Sequence, residues 1–524
     1  MSGPGDTTAT LPDPPSADGD ACVIWHRRHL RIPDQPAVTH ATRAYATVCP
    51  LFVFDPHFYQ GDALVCDARR EFLHESLADL ADQYDDADTS LVLAHGDPVE
   101  VLSTFAERGW DVVTAAEPTS RHGRRRDDRA TGRAGVQFVA DDGLTRDREN
   151  PRDGWADRVE SYFESSPTTP DSSGFESHGV DSAVSIADIE DAYGVDGQKE
   201  SVPVGGRDPA LARLDRFVDC IHEYPSSISA PADAETGTSR LSPYLRFGCL
   251  SVREVFHRVE ADAPDGVGKE MFRDRLYWNR HYTQKFLDWP GWTEHAVNPV
   301  FRGLNRDTYD PERVDRWKEG RTGFPLVDAS MRCLKETGWL NFRMRAMCAS
   351  VFGYLLEQPW RIGADWFYRH LIDADPAINY TQWQYQTGLT GIAAVRVYNP
   401  RKQVRENDPE GTFVHRWVPE LADVPATHLD RPEKMPLSLQ SELGVRIGED
   451  YPHPVVDFDR RRREAREQFS ALAKRAKEAA HDPEIRRRLS LSQRGGDRTN
   501  AEANTDDKSS HEMGQASLDA FEKN

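Results

Sequence analysis

The sequence has few cysteines, more arginine than lysine and no long apolar run. Its seven cysteines are scattered without a Cys-x-x-Cys pair, which is typical of reduced thiols in a cytoplasmic protein. None follows Cys348, so an iron–sulfur cluster in the C-terminal part is not expected, and no metal site is predicted. No run approaches the roughly 18 apolar residues of a membrane span, and the acidic N-terminus lacks the pattern of a signal peptide. We therefore expect a cytoplasmic protein that does not associate with membranes.

The chain is strongly acidic, with 87 Asp and Glu against 65 Lys and Arg and a formal net charge of −22. Such a charge usually argues against a polyanion as partner. It is also typical of halophilic proteins, whose acidic surface keeps them soluble in concentrated salt. The second interpretation is favoured because the basic residues near the main motifs are clustered locally, so nucleic acid is not excluded.

The first part of the chain alternates apolar runs with helical patterns. Residues 1–19 are polar and predicted to be disordered. Helical spacing covers residues 69–84 and 98–108, between apolar runs that predict buried strands. This alternation predicts a doubly wound parallel sheet over 20–149, which would bind ligands beyond the carboxyl ends of its strands. The predicted strands are residues 22–25, 47–54, 91–94, 111–115 and 136–140.

The remainder of the chain predicts an all-α domain. Residues 150–208 are rich in Asp, Ser, Pro, Glu and Gly, which indicates an acidic interdomain linker. A helical domain is expected over 209–455, followed over 456–524 by a charged helix and a disordered tail. At 524 residues the chain is long enough for two domains with substantial cores. The expected fold class is therefore α/β plus all-α.

Residues 317–418 contain charged side chains among apolar helices. Arg345, Asp373 and Asp375 lie in strongly apolar surroundings, where an unpaired charge would be costly. Aromatic residues are also denser here than a small core requires. A buried polar ligand with an extended aromatic body would account for both observations.

This stretch resembles the flavin-binding half of the photolyase/cryptochrome family. The resemblance rests on several motifs in the family's order, and the N-terminal half matches at residues 24–31, 34–37, 95–98 and 123–127. It implies FAD as cofactor and a second antenna chromophore of the deazaflavin or folate type, although a purely structural sheet is an equal alternative for that half. The main motifs are Trp360-Arg-Ile-Gly-Ala-Asp-Trp366, Leu371-Ile-Asp-Ala-Asp-Pro-Ala-Ile-Asn379, Gln382-Trp383-Gln384 and Tyr398-Asn-Pro400.

The first flavin-binding stretch lies upstream of these motifs. Ser and Thr just ahead of a helix can form a phosphate-binding cap, but the same pattern also forms ordinary helix N-caps. The resemblance implies that this stretch wraps the flavin diphosphate. Its members are Tyr224, Thr238, Ser239, Arg240, Leu241 and Ser242.

The second set of flavin residues follows from the resemblance. Arg345 paired with Asp373 would face the flavin ring and stabilise an anionic reduced form, although a structural ion pair is the alternative. Ala374 and Asp375 would lie near the ribityl chain or the adenosine. Asn379 would face the flavin N5 atom with neutral donor and acceptor groups.

Electron transfer is implied for Trp360 and Trp383, which match the two inner members of the family's tryptophan chain, with structural packing as the alternative. Asp307 takes roughly the position of the outer tryptophan, with Tyr309 nearby. The sequence therefore leaves the route to the surface open.

The substrate face departs most from the family. Trp278 fits the aromatic residue that stacks on a flipped-out pyrimidine dimer, but Arg275, Phe342 and Tyr385 replace an expected Glu, Asn and Trp. A divergent branch is indicated, rather than a standard cyclobutane-dimer enzyme. The basic run after Pro400 includes Arg401 and Gln403 and would hold the phosphates of damaged DNA, unless it is a solvated loop. The leading hypothesis is a blue-light-dependent lyase acting on UV-damaged DNA, and the alternative is a cryptochrome-type photoreceptor.

The C-terminal tail ends in a short motif. Gln515, Leu518 and Phe521 resemble the peptide that docks on DNA sliding clamps, with the two apolar residues on one side of a helical turn. Glu522 replaces the usual second aromatic, so a modest affinity is expected, and a chance triplet in a solvated tail is the alternative.

Overall fold

The N-terminal domain is built on one parallel sheet. The computed structural model describes residues 10–17, 19–60, 63–146, 152–171, 175, 177–391 and 395–489. The five strands have the order β3-β2-β1-β4-β5 and all pair in parallel. The five predicted strands are thus present, because strands covered on both faces give unbroken apolar runs. They are β1 Ala21–His26, β2 Thr47–Phe54, β3 Val92–His95, β4 Asp111–Ala115 and β5 Gln137–Val139.

Four helices belong to this sheet. Side-chain oxygens cap two of them: Gln35 accepts from the first turn of α1, and Asp97 accepts from Val99 at the start of α3. Apolar side chains such as Val38 and Leu77 cover one face of the sheet, and Leu102 and Phe105 cover the other. The helices are α1 Pro36–Ala44, α2 Asp67–Asp85, α3 Pro98–Glu107 and α4 Arg121–Ala134.

The predicted disorder of residues 1–19 does not hold for residues 10–17. The Thr10 amide donates to the carbonyl of His95 at 3.0 Å, and the Ala17 amide donates to that of Arg108 at 2.8 Å. The Trp110 indole donates to the carbonyl of Pro15 at 2.8 Å. Backbone hydrogen bonds therefore fix this polar segment against the edge of the domain, although its composition gives no apolar signal.

The segment 150–208, predicted as an acidic linker, contains two helices, α5 Trp155–Glu164 and α6 Ile186–Tyr193. Trp155, Val159 and Phe163 are buried in the same cluster as the first helices of the next domain. The helical spacing of these residues was not recognised because most of their neighbours in the sequence are polar. The segment therefore contributes to a hydrophobic core and does not only connect the two domains.

The second domain is entirely helical, as expected. Its main core surrounds the fully buried Trp317 and Phe352. A π-helix, Val351–Leu355, directly continues helix α15, Phe342–Ser350. The helices are α7 Arg207–Cys220, α8 Tyr224–Ser227, α9 Pro231–Gly237, α10 Ser242–Phe247, α11 Val252–Asp262, α12 Val267–Asp288, α13 Pro311–Lys318, α14 Pro325–Thr337, α15 Phe342–Ser350, α16 Trp360–His370, α17 Pro376–Gln386, α18 Pro400–Asn407, α19 Thr412–Trp417 and α20 Leu437–Leu443.

Two further helices, α21 Phe458–Ala479 and α22 Pro483–Leu489, end the described part of the chain. The buried Lys285 amine donates to the carbonyl of Arg488 at 2.8 Å, and Leu489 is 2 % exposed. The end of α22 is thereby fixed to α12. The predicted clamp motif, Gln515, Leu518 and Phe521, lies outside the described residues.

No helix in the described ranges is long and apolar enough to span a membrane. Among those same residues, no group of three His, Cys, Asp or Glu side chains is placed to hold a metal ion.

Candidate functional site

Helix α17 carries three of the predicted site residues, and a fourth caps its first turn. Asp375 begins it as an N-cap, because its Oδ1 accepts from the amides of Ala377 at 2.8 Å and Ile378 at 3.3 Å. The helix packs against α12, α15 and α16. It thereby brings Asn379, Trp383 and Tyr385 into one region with residues on those three helices.

The predicted pair of Arg345 and Asp373 is present. Arg345 Nη2 donates to Asp373 Oδ2 at 2.9 Å, and its Nε donates to the Leu340 carbonyl at 2.7 Å. The Asp373 side chain is only 4 % exposed, whereas that of Arg345 is 23 % exposed. The carboxylate therefore lies in a dry environment and the guanidinium at its edge.

Two buried polar atoms near these residues leave their hydrogen-bonding capacity unused. Asp373 Oδ1 and Arg246 Nη1 are buried without a partner among the residues that the structure describes. Arg246 Nε donates to the Ala374 carbonyl at 2.6 Å, which places its guanidinium beside residues 373–375. Both unpaired atoms therefore lie in the same part of the site. A buried unpaired polar group is costly, and a polar cofactor would supply the missing partners. The residues present thus fit FAD.

The predicted phosphate-binding stretch connects α9 to α10. Thr238 caps the end of α9 through a 2.7 Å bond from its hydroxyl to the Ala234 carbonyl, and Ser239 Oγ accepts from the Leu241 amide at 3.4 Å. Arg240 has a φ of +47°, in the left-handed region that strains a residue with a side chain. Its guanidinium lies 4.4 Å from the ring centre of Trp339. Helix α10 begins at Ser242 without a side-chain cap, so its first amides remain available to a ligand.

Tyr224 and Arg275 lie together, although the sequence predicted one for the cofactor and the other for the substrate. Arg275 hydrogen bonds the Tyr224 phenol, which is buried. Burial raises the pKa of Tyr224, and the neighbouring Arg275 opposes that effect. Arg275 also opposes the rise that burial causes in the pKa of Tyr282, which lies about two turns further along α12. The predicted flavin site and the predicted substrate face are therefore adjacent at Arg275.

Asn379 is held in one orientation. Its Nδ2 donates to the Ala364 carbonyl of α16 at 3.0 Å, and the residue is 8 % exposed. The amide therefore offers its oxygen, an acceptor, on the other side. An acceptor suits a protonated flavin N5 atom.

A charged cluster between the two domains was not recognised as part of the site from the sequence. Arg28 donates to Asp375 Oδ2 at 3.3 Å and pairs with Glu117 at 2.9 Å. Burial raises the pKa of Glu117, but Arg27 and Arg28 outweigh it, so that the pKa lies below its ordinary value. Arg246 completes the cluster at 4.0 Å from Asp375. The only sequence signal was the arginine-rich opening at residues 27–31, because its partners lie far along the chain.

The two predicted electron-transfer residues lie in different surroundings. Trp383 is 3 % exposed, and its ring centre lies 6.0 Å from that of Trp317 and 5.2 Å from that of Phe367. Trp360 is partly buried, and its ring meets that of Tyr380 edge-on at 6.3 Å. Asp307 and Tyr309 line an open surface groove.

The predicted substrate face is a row of aromatic rings. Trp278 stacks on Tyr282 with a centroid distance of 5.5 Å, and Tyr282 meets Tyr385 at 6.3 Å. Phe342, at the start of α15, is 38 % exposed. Phe342 and Tyr385 thus lie on α15 and α17, which also carry predicted flavin residues, and Trp278 lies on α12, which packs against α17.

Arg401 and Gln403 are not presented to solvent. Arg401 pairs with Glu433 at 2.9 Å, and both side chains are only 12 % exposed. Gln403 is 6 % exposed and accepts from Asn407. Their burial argues against a role of these two residues in holding DNA phosphates, because a paired and covered guanidinium is not available to a backbone phosphate. Lys402 and Arg405 of the same run are exposed.

A parallel-sheet domain thus lies on a helical domain that contains the Arg345–Asp373 pair, and both domains match known protein families. Residues 22–145 match the DNA photolyase domain, and residues 272–471 match the FAD binding domain of DNA photolyase. The cryptochrome DASH of Natronomonas pharaonis is 30% identical over 84% of this chain and 99% of its own length. The deoxyribodipyrimidine photo-lyase of Halobacterium salinarum is also 30% identical, over 84% of this chain and 97% of its own.

A solved cryptochrome from Synechocystis sp. shares the fold with a TM-score of 0.75 and 25% identity, covering 85% of this chain and 98% of its own. The chain therefore belongs to the DNA photolyase/cryptochrome family, and FAD is its cofactor.

Proposed function

We propose that the protein is a light-driven, FAD-dependent lyase that splits pyrimidine dimers in UV-damaged DNA. The observation that carries this proposal is the aromatic row of Trp278, Tyr282 and Tyr385 beside α17, the helix of Asn379. Base faces stack on such rings, and a flipped-out lesion costs least where pairing is already lost. The similarity to the Halobacterium salinarum photo-lyase supports the same proposal.

The chemistry follows from the burial of the site. When bound, FAD supplies the light-absorbing group and the electron that opens the dimer. Arg345 and Asp373 form a pair without net charge beside residues 374 and 375. The guanidinium, held in place by the carboxylate, would offer a preorganised positive end to a negatively charged flavin ring. Asn379, whose amide nitrogen donates to the Ala364 carbonyl, would offer its oxygen to the flavin. Trp278 positions the flat faces of the lesion, and no acid–base dyad is required because electron transfer carries the reaction.

A cryptochrome-type photoreceptor is the second candidate, and one observation favours it. Leu489 and Ile485 of α22 belong to the same apolar cluster as Tyr385. A segment beyond the matched flavin-binding region therefore shares a core with one end of the aromatic row, and a change at the flavin would be transmitted through this core to the C-terminal part of the chain. The buried pairing of Arg401 also removes one argument for DNA binding.

Photoreversal distinguishes the two candidates. An oligonucleotide with one defined cyclobutane or (6-4) dimer is illuminated with blue light in the presence of the chemically reduced, FAD-loaded protein. The lyase proposal expects intact DNA to be recovered. It also expects Trp278→Ala to weaken binding about 5- to 150-fold, since stacking contributes about 1–3 kcal/mol per base.

Tyr309→Ala is the control for this experiment, because Tyr309 is an aromatic residue that is 51 % exposed on a different groove. It should leave binding unchanged. If neither dimer is reversed although light still reduces the flavin, the lyase proposal is wrong and the photoreceptor is favoured.

Docking of the tail on a sliding clamp is a separate proposal. A peptide of residues 510–524 is titrated against the host's clamp, with Leu518 and Phe521 both changed to Ala in a matched peptide. Binding that is lost in the matched peptide supports the proposal. Undiminished binding of that peptide, or no binding of either, contradicts it.

A further inference from the structure

The electron path through Trp383 and Trp360 lacks its outer aromatic residue. By the resemblance to the family, Asp307 stands at roughly that position, and it lines an open groove together with Tyr309, which is 51 % exposed. A carboxylate cannot replace an indole as an electron donor. If light reduces the flavin through Trp360, the electron must come to Trp360 from another residue.

Tyr380 is placed to be that donor. It is 4 % exposed, and its ring meets the Trp360 ring edge-on with centroids 6.3 Å apart. Its phenol donates to Asp365 Oδ1 at 2.6 Å, within the range for direct proton transfer. Asp365 is 29 % exposed and also faces Arg361 at 3.4 Å. A proton that reached this carboxylate could therefore pass to water.

We propose that Tyr380 is the terminal electron donor to Trp360 and that Asp365 accepts the proton released from its phenol. This inference rests on the proposed light-driven function. The oxidant is light-excited oxidised flavin acting through Trp383, which leaves Trp360 as a radical cation. One electron passes from Tyr380 to Trp360 and restores the indole. The phenol O–H bond breaks as an O–H bond forms on Asp365, and the product is a neutral tyrosyl radical.

The hydrogen bond makes this transfer favourable. Burial and then the charge of Asp365 raise the pKa of Tyr380, so the phenol keeps its proton at neutral pH. Loss of an electron alone would leave a positive charge on a nearly dry ring, which is costly. Proton transfer along an existing short bond avoids that charge. The ring centre of Tyr368 lies 5.5 Å from that of Tyr380. The hydrogen bond to the Asp365 carboxylate is the reason for choosing Tyr380 rather than Tyr368 as the donor.

The test follows radicals after a light flash in the full, FAD-loaded chain, by transient absorption and electron paramagnetic resonance. The parent protein should form a tryptophan radical that is replaced by a neutral tyrosyl radical, more slowly in D2O. Tyr380→Phe should abolish the tyrosyl signal and the solvent isotope effect. Asp365→Asn should lower the tyrosyl yield severalfold although the ring remains, and Asp365→Glu should restore part of it.

Tyr354→Phe is the matched control. Tyr354 is another buried tyrosine of the same domain, 2 % exposed, with its ring 5.0 Å from that of Phe469. This variant should keep the full tyrosyl signal. Bound FAD is measured in every variant, so that a signal lost with the cofactor is recognised.

The outcomes separate this inference from the function on which it rests. An undiminished tyrosyl signal in Tyr380→Phe, or an unchanged yield in Asp365→Asn, would overturn it. Tryptophan radicals without a tyrosyl radical in the parent protein would overturn it alone and leave the proposed function intact. Absence of all flash-induced radicals, in the parent and in Tyr354→Phe alike, would also overturn it, whereas failure of the proposed lyase function is recognised separately, as a dimer that is not reversed under blue light by the chemically reduced protein.

Discussion

Gly363 of α16 lies directly against the indole of Trp383. A Cβ atom built on Gly363 would lie 2.3 Å from Cη2 of that ring, closer than any real carbon contact. The absence of a side chain thus allows α16 and α17 to approach each other at the buried tryptophan.

Gly363→Ala should therefore destabilise the protein by about 1–3 kcal/mol, since an added methyl in a packed core forces side chains or backbone to move. The effect is measured as the free energy of unfolding in urea. Gly132→Ala is the control: Gly132 is exposed in α4 with open space at its Cβ position, and alanine there should be neutral or stabilising by up to about 1 kcal/mol. Equal effects of the two variants would show that the close approach has no energetic weight.

Asp373→Ala should weaken the flavin site. Arg345 would lose its carboxylate partner, which costs about 3–5 kcal/mol for a buried pair; we expect the lower end because Arg345 is 23 % exposed. Unfolding in urea and the fraction of FAD retained after gel filtration give the two measurements. Asp215→Ala breaks a surface pair with Arg258, whose side chains are 52 % and 46 % exposed, and should cost only about 0–1 kcal/mol. Full FAD retention in Asp373→Ala would contradict the predicted role.

Trp383→Phe should slow flavin photoreduction without removing bound FAD, because the buried ring is replaced by a smaller aromatic one that is a much poorer electron donor. Repair that starts from chemically reduced flavin should survive the change. Photoreduction is followed by flavin absorbance under blue light. Trp110→Phe, at a buried tryptophan of the sheet domain, is the control and should photoreduce at the parent rate. An unchanged rate in Trp383→Phe would mean that another route dominates.

His26 should make the stability fall in acid. It is 1 % exposed, with Nε2 2.7 Å from the Tyr84 hydroxyl, and burial lowers its pKa from 6.5 to about 4. The unfolded chain therefore binds more protons between these values, so the free energy of unfolding declines as pH falls from 6.5 to 4, by about 3 kcal/mol. His26→Asn should remove this part of the slope. Parallel pH profiles of the parent and the variant would show that His26 does not contribute.

The strands and the Arg345–Asp373 pair could be predicted because their signals are local or carried by a recognised motif. Buried parallel strands give continuous apolar runs such as that of β2. The contacts of Arg401 could not be predicted, since nothing in a basic run shows that Glu433 neutralises it. Likewise, Arg28 and Asp375 are 347 positions apart. Sequence periodicity gives no information about such distant partners.

The same distance has a consequence for how the protein is made. Arg28 and Arg69 both belong to the sheet domain, and Arg69 donates to the carbonyls of Tyr368 at 2.7 Å and Leu371 at 3.1 Å. With the Arg28–Asp375 bond, they hold residues 368–375, which lead into the flavin helix. The sheet domain is synthesised first. Its Arg28 and Arg69 side chains are therefore present when the helical domain folds and can bind residues 368–375. We therefore expect a separately expressed helical half to retain flavin less well than the full chain, because residues 368–375 would lose these partners.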